Sequence, residues 1–299
     1  MRVDDTRWVL LDGDAVRAVG PAMVWSTRDG AQSVQLMVDD EEAAGVVARR
    51  AALFADPPVV WSVRGRVLHP VAPAPPPPAP VPEPIAVTAA SVLHEAGVDV
   101  VIDRAGIAGE IRGLEIARVV VGEEGARVEV GVGRHDREAF TMVHGALPTA
   151  EALASVLGSV DAVRRPEAEP HPLRQLAPEG WLRWRLVSDP ALIDLVELRP
   201  AHATVVRESL KDAGASIAVG RDASGHDVVV ACSVGIDLDL IPAAADARLA
   251  HAPSARLLVV LPERDAHPAT RALGAALAQP AEFILVRGDW RTAEAGAFV

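Results

Sequence analysis

Between Pro70 and Pro84 the chain carries a proline at nearly every second position, with Pro75 to Pro78 consecutive. Each proline fixes φ and removes a backbone donor, so neither a helix nor the interior of a sheet can run through this stretch. The expected conformer is polyproline II, which serves as a semi-rigid spacer or as a docking sequence read by a partner. Pro166, Pro170, Pro172 and Pro178 interrupt the chain a second time. With 299 residues, about twice a usual single domain, the prolines divide the chain into a β-rich module (1–69), a linker (70–85), a middle α/β segment (86–165), a second linker (166–178) and a C-terminal α/β domain (179–299).

Hydrophobic periodicity fills in the segments. In the first, Arg7–Leu11, Ala15–Gly20, Ala22–Ser26 and Ser33–Val38 read as short strands, Asp39 or Asp40 caps a helix running to about Phe54, and Val59–Leu68 closes as a strand. Trp8, Trp25 and Trp61 fall in or beside these strands, as core residues or as an aromatic binding surface. The middle segment reads as helix Thr88–Ala96, strands Val98–Ile102, Glu110–Val121 and Arg127–Val132, helical spacing over His135–His144 and a helix Thr149–Val160. In the last, helical stretches near 181–186, 190–198 and 203–213 precede a hairpin of Ser216–Arg221 with His226–Cys232. Helices (236–250, 268–278) then alternate with strands (256–261, 282–287), which implies parallel pairing. The fold class expected is α/β with an α+β N-terminal module, mixed sheets flanked by helices.

Several function classes fall away. No apolar run approaches the length of a membrane span, and Met1–Leu11 lacks the order of a secretory signal, so a cytoplasmic protein with no membrane partner is expected. Cys232 is the only cysteine, which excludes an intramolecular disulfide and a cysteine-based zinc site. A formal charge of −12 disfavours bulk nucleic-acid binding unless arginines gather on one face. Lys211 is the only lysine. Phosphate-loop, dinucleotide, nucleophile-elbow and His-Glu-x-x-His motifs are all missing from the sequence.

The densest charge cluster follows the strand ending near Val132: Arg134, His135, Asp136, Arg137 and Glu138. Glu115 and Glu129 lie inside otherwise apolar strands, where a carboxylate must be paired, bound to metal or solvated. Strict alternation puts Glu115 on the face of Ala117 and Val119, with Arg118 on the opposite one, and sets Glu129 on a solvated face beside Arg127. His135 could add a third metal ligand. Beyond the carboxyl ends of the C-terminal strands, Cys232, Asp237 and His267 occupy positions where α/β sheets bind ligands.

The order helix, three strands, helix in the middle segment resembles the restriction-endonuclease-like, or PD-(D/E)XK, nuclease fold. That resemblance makes Glu115 and Glu129 the acids holding Mg2+ or Mn2+, with Arg134 and Arg137 contacting phosphate. It lacks the motif lysine, whose place is taken by Gly131. Two functions follow as expectations. One is a catalytically weakened or inactive nuclease-fold protein in nucleic-acid metabolism, acting on nucleic acid or through a protein partner. The other is a non-enzymatic interaction module recruited through its N-terminal strands and proline tract.

Overall fold

The computed structural model describes residues 1–27, 33–123, 125–133, 136–137, 148–205, 212 and 214–299. The chain is mixed α/β, with three sheets flanked by helices. Among the described residues no helix is long and apolar enough to cross a membrane.

The first sheet runs in spatial order β1 (Arg2–Val3), β2 (Thr6–Leu11), β3 (Ser33–Val38), β4 (Val59–Arg64), β5 (Val67–Pro70). Strands β2 to β4 are parallel, and β1 and β5 are antiparallel edges. Crossovers are made by α1 (Val19–Thr27) and α2 (Glu41–Ala51). Asp40 caps α2 as its sequence implies, accepting from the amides of Glu42 and Ala43 at 2.9 and 3.1 Å. The stretches 15–20 and 22–26, expected as strands, are instead a 3-10 turn (Ala15–Ala18) and α1. Apolar runs this short do not distinguish the two states, and Pro21 is tolerated because it lies in the first turn, where no amide has an intrahelical partner.

The proline tract is seated on α2. Ala74 donates to the Gly45 carbonyl at 2.9 Å, and Arg49 Nη1 reaches the Pro75 carbonyl at 2.9 Å. Val71, Ala74, Pro77 and Pro80, three residues apart, are half-buried, which is the repeat of a polyproline II helix laid along a surface. Gly45 makes room for it, since a Cβ there would stand 3.0 Å from the Ala74 Cβ.

The middle segment has α3 (Pro84–Ala89) and α4 (Ser91–Glu95), then a four-stranded antiparallel meander of β6 (Asp99–Asp103), β7 (Gly106–Ile111), β8 (Leu114–Gly122) and β9 (Gly125–Val130), and α5 (Thr149–Val163). Residues 110–121, expected as one strand, are broken into a hairpin at Arg112 and Gly113, both at positive φ. Leu93, Leu114, Ile116 and Leu153 centre its core. The helical spacing expected at 135–144 lies largely outside the described residues.

α6 (Pro178–Ser188) leads into the last sheet, ordered β10 (Leu195–Ala201), β11 (Ser216–Asp222), β12 (Asp227–Cys232), β13 (Arg256–Pro262), β14 (Glu282–Val286). The β11–β12 hairpin is antiparallel, and β12 to β14 are parallel across α7 (Leu240–His251) and α8 (Pro268–Ala275), as the alternation implied. Residues 190–198, expected as helix, are a 3-10 turn followed by β10, an edge strand that accommodates Pro200. The middle segment docks on α6 through a backbone approach of Gly113 to Gly180, where a Cβ on either would overlap the other's carbonyl. Glu110 pairs there with Arg183, and Arg112 stacks over Trp184.

The first and last segments share one core. Leu11, Leu36, Val38 and Val47 pack in the same cluster as Val229, Leu257, Val259 and Ile241, with α1, α2, α7 and α8 between the two sheets. The two units repeat one another. Gln35 pairs with Val59 and Leu36 with Val60 in the first sheet; Leu258 pairs with Glu282 and Val259 with Phe283 in the last, at a constant offset along the chain. The ends of α2 and α8 meet in an antiparallel bridge of Phe54 with Leu277, residues that the same offset makes equivalent. A residue bridged to its own counterpart marks a two-fold axis.

Buried ions join the halves. Asp246 on α7 has no solvent exposure and accepts from Arg49 Nε at 2.6 Å, Arg49 Nη2 at 3.0 Å, Arg50 Nε at 3.3 Å and the Thr204 hydroxyl at 2.7 Å. Arg50 Nη1 also donates to Asp239 at 2.7 Å. Burial raises the Asp246 carboxyl, yet the hydrogen bonds from Arg49 and Thr204 and the charge of Arg50 outweigh it and hold the group below its ordinary value. Asp239, with one buried oxygen lacking a hydrogen-bond partner, is pushed up to about 7 by burial, against the pull of Arg50.

Candidate functional site

The two glutamates of the middle sheet are committed to arginines. A β-bulge on β8, where the pairing shifts between Gly109 and Glu110, puts Glu115 and Arg118 on one face, contrary to strict alternation. Arg118 Nε donates to Glu115 at 3.0 Å, and its Nη1 and Nη2 grip Asp103 at 2.9 and 2.8 Å. Arg137, buried, pairs with the same Glu115. Glu129 stands opposite Arg118 in register and is bonded to Arg127 at 2.7 Å. Each acid thus has its own arginine partners, Arg118 and Arg137 for Glu115 and Arg127 for Glu129. Arg134 and His135 lie outside the described residues, as does Lys211. Among the described residues no group of three His, Cys, Asp or Glu side chains converges as a metal site.

Other arginines of the middle segment are spent in similar fashion. Arg112 pairs with Asp161 at 3.2 Å, and Arg104 reaches the Pro78 carbonyl. Arg164, fully buried, donates to the carbonyls of Leu173, Leu176, Arg112 and Ala177 and lies 4.7 Å over the Trp181 ring. Burial lowers its guanidinium to about 10. It clasps the second linker against the middle segment, a structural task.

At the C-terminal strand ends the three remaining candidates are placed apart in role. Cys232 is wholly buried, and desolvation pushes its thiol up to about 12. The Asp237 carboxylate accepts from the Asp239 amide at 2.9 Å, and His267 caps α8 by accepting from the Ala269 amide at 3.2 Å. The loops after β12 and β13 do meet, through Gly235 donating to Asp265 at 2.8 Å, but they assemble no nucleophile and base.

What the structure exposes is the outer face of the first sheet. Alternation sends Arg7, Val9, Leu11, Leu36, Val38 and Val60 toward α1 and α2, and Trp8, Leu10, Met37, Val59, Trp61, Val63 and Leu68 to the other side. Leu10 is 55% exposed, Val59 44% and Leu68 36%. Trp8 and Trp61 lie 6.1 Å apart, and the Trp61 indole donates to Gln35 at 2.7 Å, which fixes the pair across the central strand. The helices packed on this sheet, α1 and α2, lie against its inner face. Of the two readings of the N-terminal tryptophans, Trp8 and Trp61 fit the surface, and Trp25 is a half-exposed helix residue over Arg7.

Comparison with protein-family models, with curated proteins and with solved structures gave no match.

Proposed function

We propose that this chain is a non-catalytic protein-binding module whose docking surface is the outer face of the N-terminal sheet. The observation that carries this reading is the run of Trp8, Leu10, Met37, Val59, Trp61, Val63 and Leu68 on one open sheet face. Contiguous apolar surface of this kind, with aromatics at its centre, is what association sites present. The pairing of Glu115 with Arg118 and Arg137, and of Glu129 with Arg127, supports the same reading over a nuclease, since among the described residues these acids and arginines neutralise one another and no three His, Cys, Asp or Glu side chains converge.

The test is a photo-crosslinking amino acid placed at Leu10 or Val59 in cells, with a control at Val196, which is exposed on β10 of the other sheet. One partner identified by mass spectrometry from both face positions and not from the control is the expected result. No adduct from either face position would overturn the proposal. So would saturable, magnesium-dependent binding of a labelled DNA or RNA duplex that Glu115→Gln and Glu129→Gln abolish, because that outcome assigns function to the middle sheet.

A further inference from the structure

The repeat within the chain shows what a covered version of the open face looks like. Carried over at the constant offset, Gln35 and Met37 correspond to Leu258 and Val260, and Trp61 and Val63 to Ile284 and Val286. Through the β2–β3 and β12–β13 registers, Trp8 and Leu10 correspond to Val230 and Cys232. In the last sheet these positions are sealed: Val230, Cys232 and Val260 have no exposure at all. The seal on this side is α6, seated on β10, β11 and β12, whose Trp181, Leu182 and Leu186 share one buried cluster with Val230, Cys232 and Val260, together with Trp290 standing edge-on to Trp181 at 5.7 Å. In the first sheet the same positions carry Trp8, Leu10, Met37 and Trp61, and no described helix lies on them. One copy of the unit has its helix, and the other has none among the described residues.

Resting on the reading of this face as a docking surface, we infer that its occupant is a single amphipathic helix of a partner protein. That helix is about three turns long, with an aromatic and aliphatic stripe and basic residues at one end. Size favours a helix over a second copy of the chain. Five strands of 2, 6, 6, 6 and 4 residues, about 4.8 Å apart with ~3.3 Å per residue, make a face of roughly 400 Å2, about half of the ~800 Å2 each partner contributes to a stable dimer. A three-turn helix, ~16 Å long and ~10 Å wide, fits within it, and α6 itself spans Pro178–Ser188 on the equivalent sheet. Charge sets the polarity. At the carboxyl edge of β2 and β3 stand Asp12, Asp39, Asp40, Glu41 and Glu42, all exposed, against a chain that is already −12 overall. Lysine or arginine at the helix end over that edge complements it, and an acidic helix is repelled.

The probe is a synthetic peptide of this chain's own covering helix, residues 177–190, whose Trp181, Leu182 and Leu186 stripe already fits the equivalent sheet and whose Arg183 and Arg185 supply positive charge. It is titrated into the full-length protein against two controls, a scrambled peptide and one with both arginines changed to glutamate. Saturable binding is expected, weakened at least tenfold by Leu10→Arg or Val59→Arg and by the arginine-to-glutamate peptide. Leu10 and Val59 are half-exposed, so these variants leave the fold intact, which an unchanged thermal midpoint verifies. Equal binding of the scrambled peptide, or binding indifferent to both substitutions, overturns the helix assignment. If peptide binding fails while the face positions still crosslink to one partner, the helix inference is wrong and the docking surface stands. If both fail, the surface itself is refuted. A concentration-dependent dimer in sedimentation that Leu10→Arg dissolves overturns the partner helix in favour of self-association.

Discussion

Replacing Asp246 with asparagine tests whether the ion network holds the two sheets together. The carboxylate is fully buried and accepts four hydrogen bonds, three from two guanidinium groups that are themselves 4% and 2% exposed. Asp246→Asn keeps the shape, deletes the charge and turns an amide donor toward a donor. In either amide orientation Arg49 keeps one bond to the remaining oxygen besides the Pro75 carbonyl but turns its other N–H toward an NH2 donor, while Arg50 retains Asp239 and the Val16 carbonyl. Breaking a buried pair from one side costs about 3–5 kcal/mol, because the surviving charge has no water to return to. The unit built from the first and last segments falls in the size range where each kcal/mol shifts the midpoint by about 2–4 °C, so a fall of roughly 6–20 °C is expected in calorimetry. The double variant Asp246→Leu with Arg49→Met removes both partners and leaves Arg50 with Asp239. It should lose less than Asp246→Leu alone, with a coupling of at least ~1 kcal/mol. A midpoint for Asp246→Asn within about 2 °C of wild type, or additive single and double variants, would refute the network's role.

Asp239 and Asp246 make opposite contributions as pH changes. The folded Asp239 carboxyl is raised to about 7, so its stabilisation is complete below the unfolded value near ~3.9 and is lost as pH rises toward 7. Asp246, held low, contributes above its unfolded value and is lost in acid. Wild type should lose on the order of 2–4 kcal/mol between pH 4 and pH 8, and Asp239→Asn should flatten that slope in urea titrations; parallel slopes would contradict the assignment. Cys232 should react with Ellman's reagent only as fast as the protein unfolds, and rapid labelling of the native protein would show an accessible thiol. Gly113→Ala should cost at least ~2 kcal/mol, since it strains a residue at φ 72 and pushes against the Gly180 carbonyl. Hydrogen exchange should locate the loosening at α6, and unchanged protection there would mean the close approach is not needed.

Legibility in the sequence followed how local each determinant is. The Asp40 cap, the β11–β12 hairpin and the parallel alternation of β12 to β14 rest on neighbours a few residues apart, and all three stand in the structure. α1 does not read as a helix because its nine residues, apolar on nearly every side, lack a period. The β7–β8 hairpin was missed because only Gly113 hints at the turn, Arg112 being an unusual occupant of positive φ. The side of β8 that carries Glu115 depended on a bulge, which alternation cannot foresee. The outer face of the first sheet was half visible, as Trp8 and Trp61 among three tryptophans that could be core or surface. Among the described residues no helix covers it, and only the covered equivalent, far along the chain, gives that meaning. The repeat was hidden because the matching registers are carried by dissimilar residues, such as Trp61 for Ile284 and Gln35 for Leu258.

The placement of charge between the halves has a consequence for chain exchange. A molecule made of two like units could pair first half with first half across two chains. Arg49 and Arg50 would then enter an interface facing another α1, whose sequence from Val19 to Thr27 contains no acid. Two last halves would bury Asp239 and Asp246 against α8, which offers Arg271 alone as a cation. Each half therefore recognises its complement and rejects its own kind. If two chains trade segments, they can do so only reciprocally, first half to last, regenerating the same interface twice.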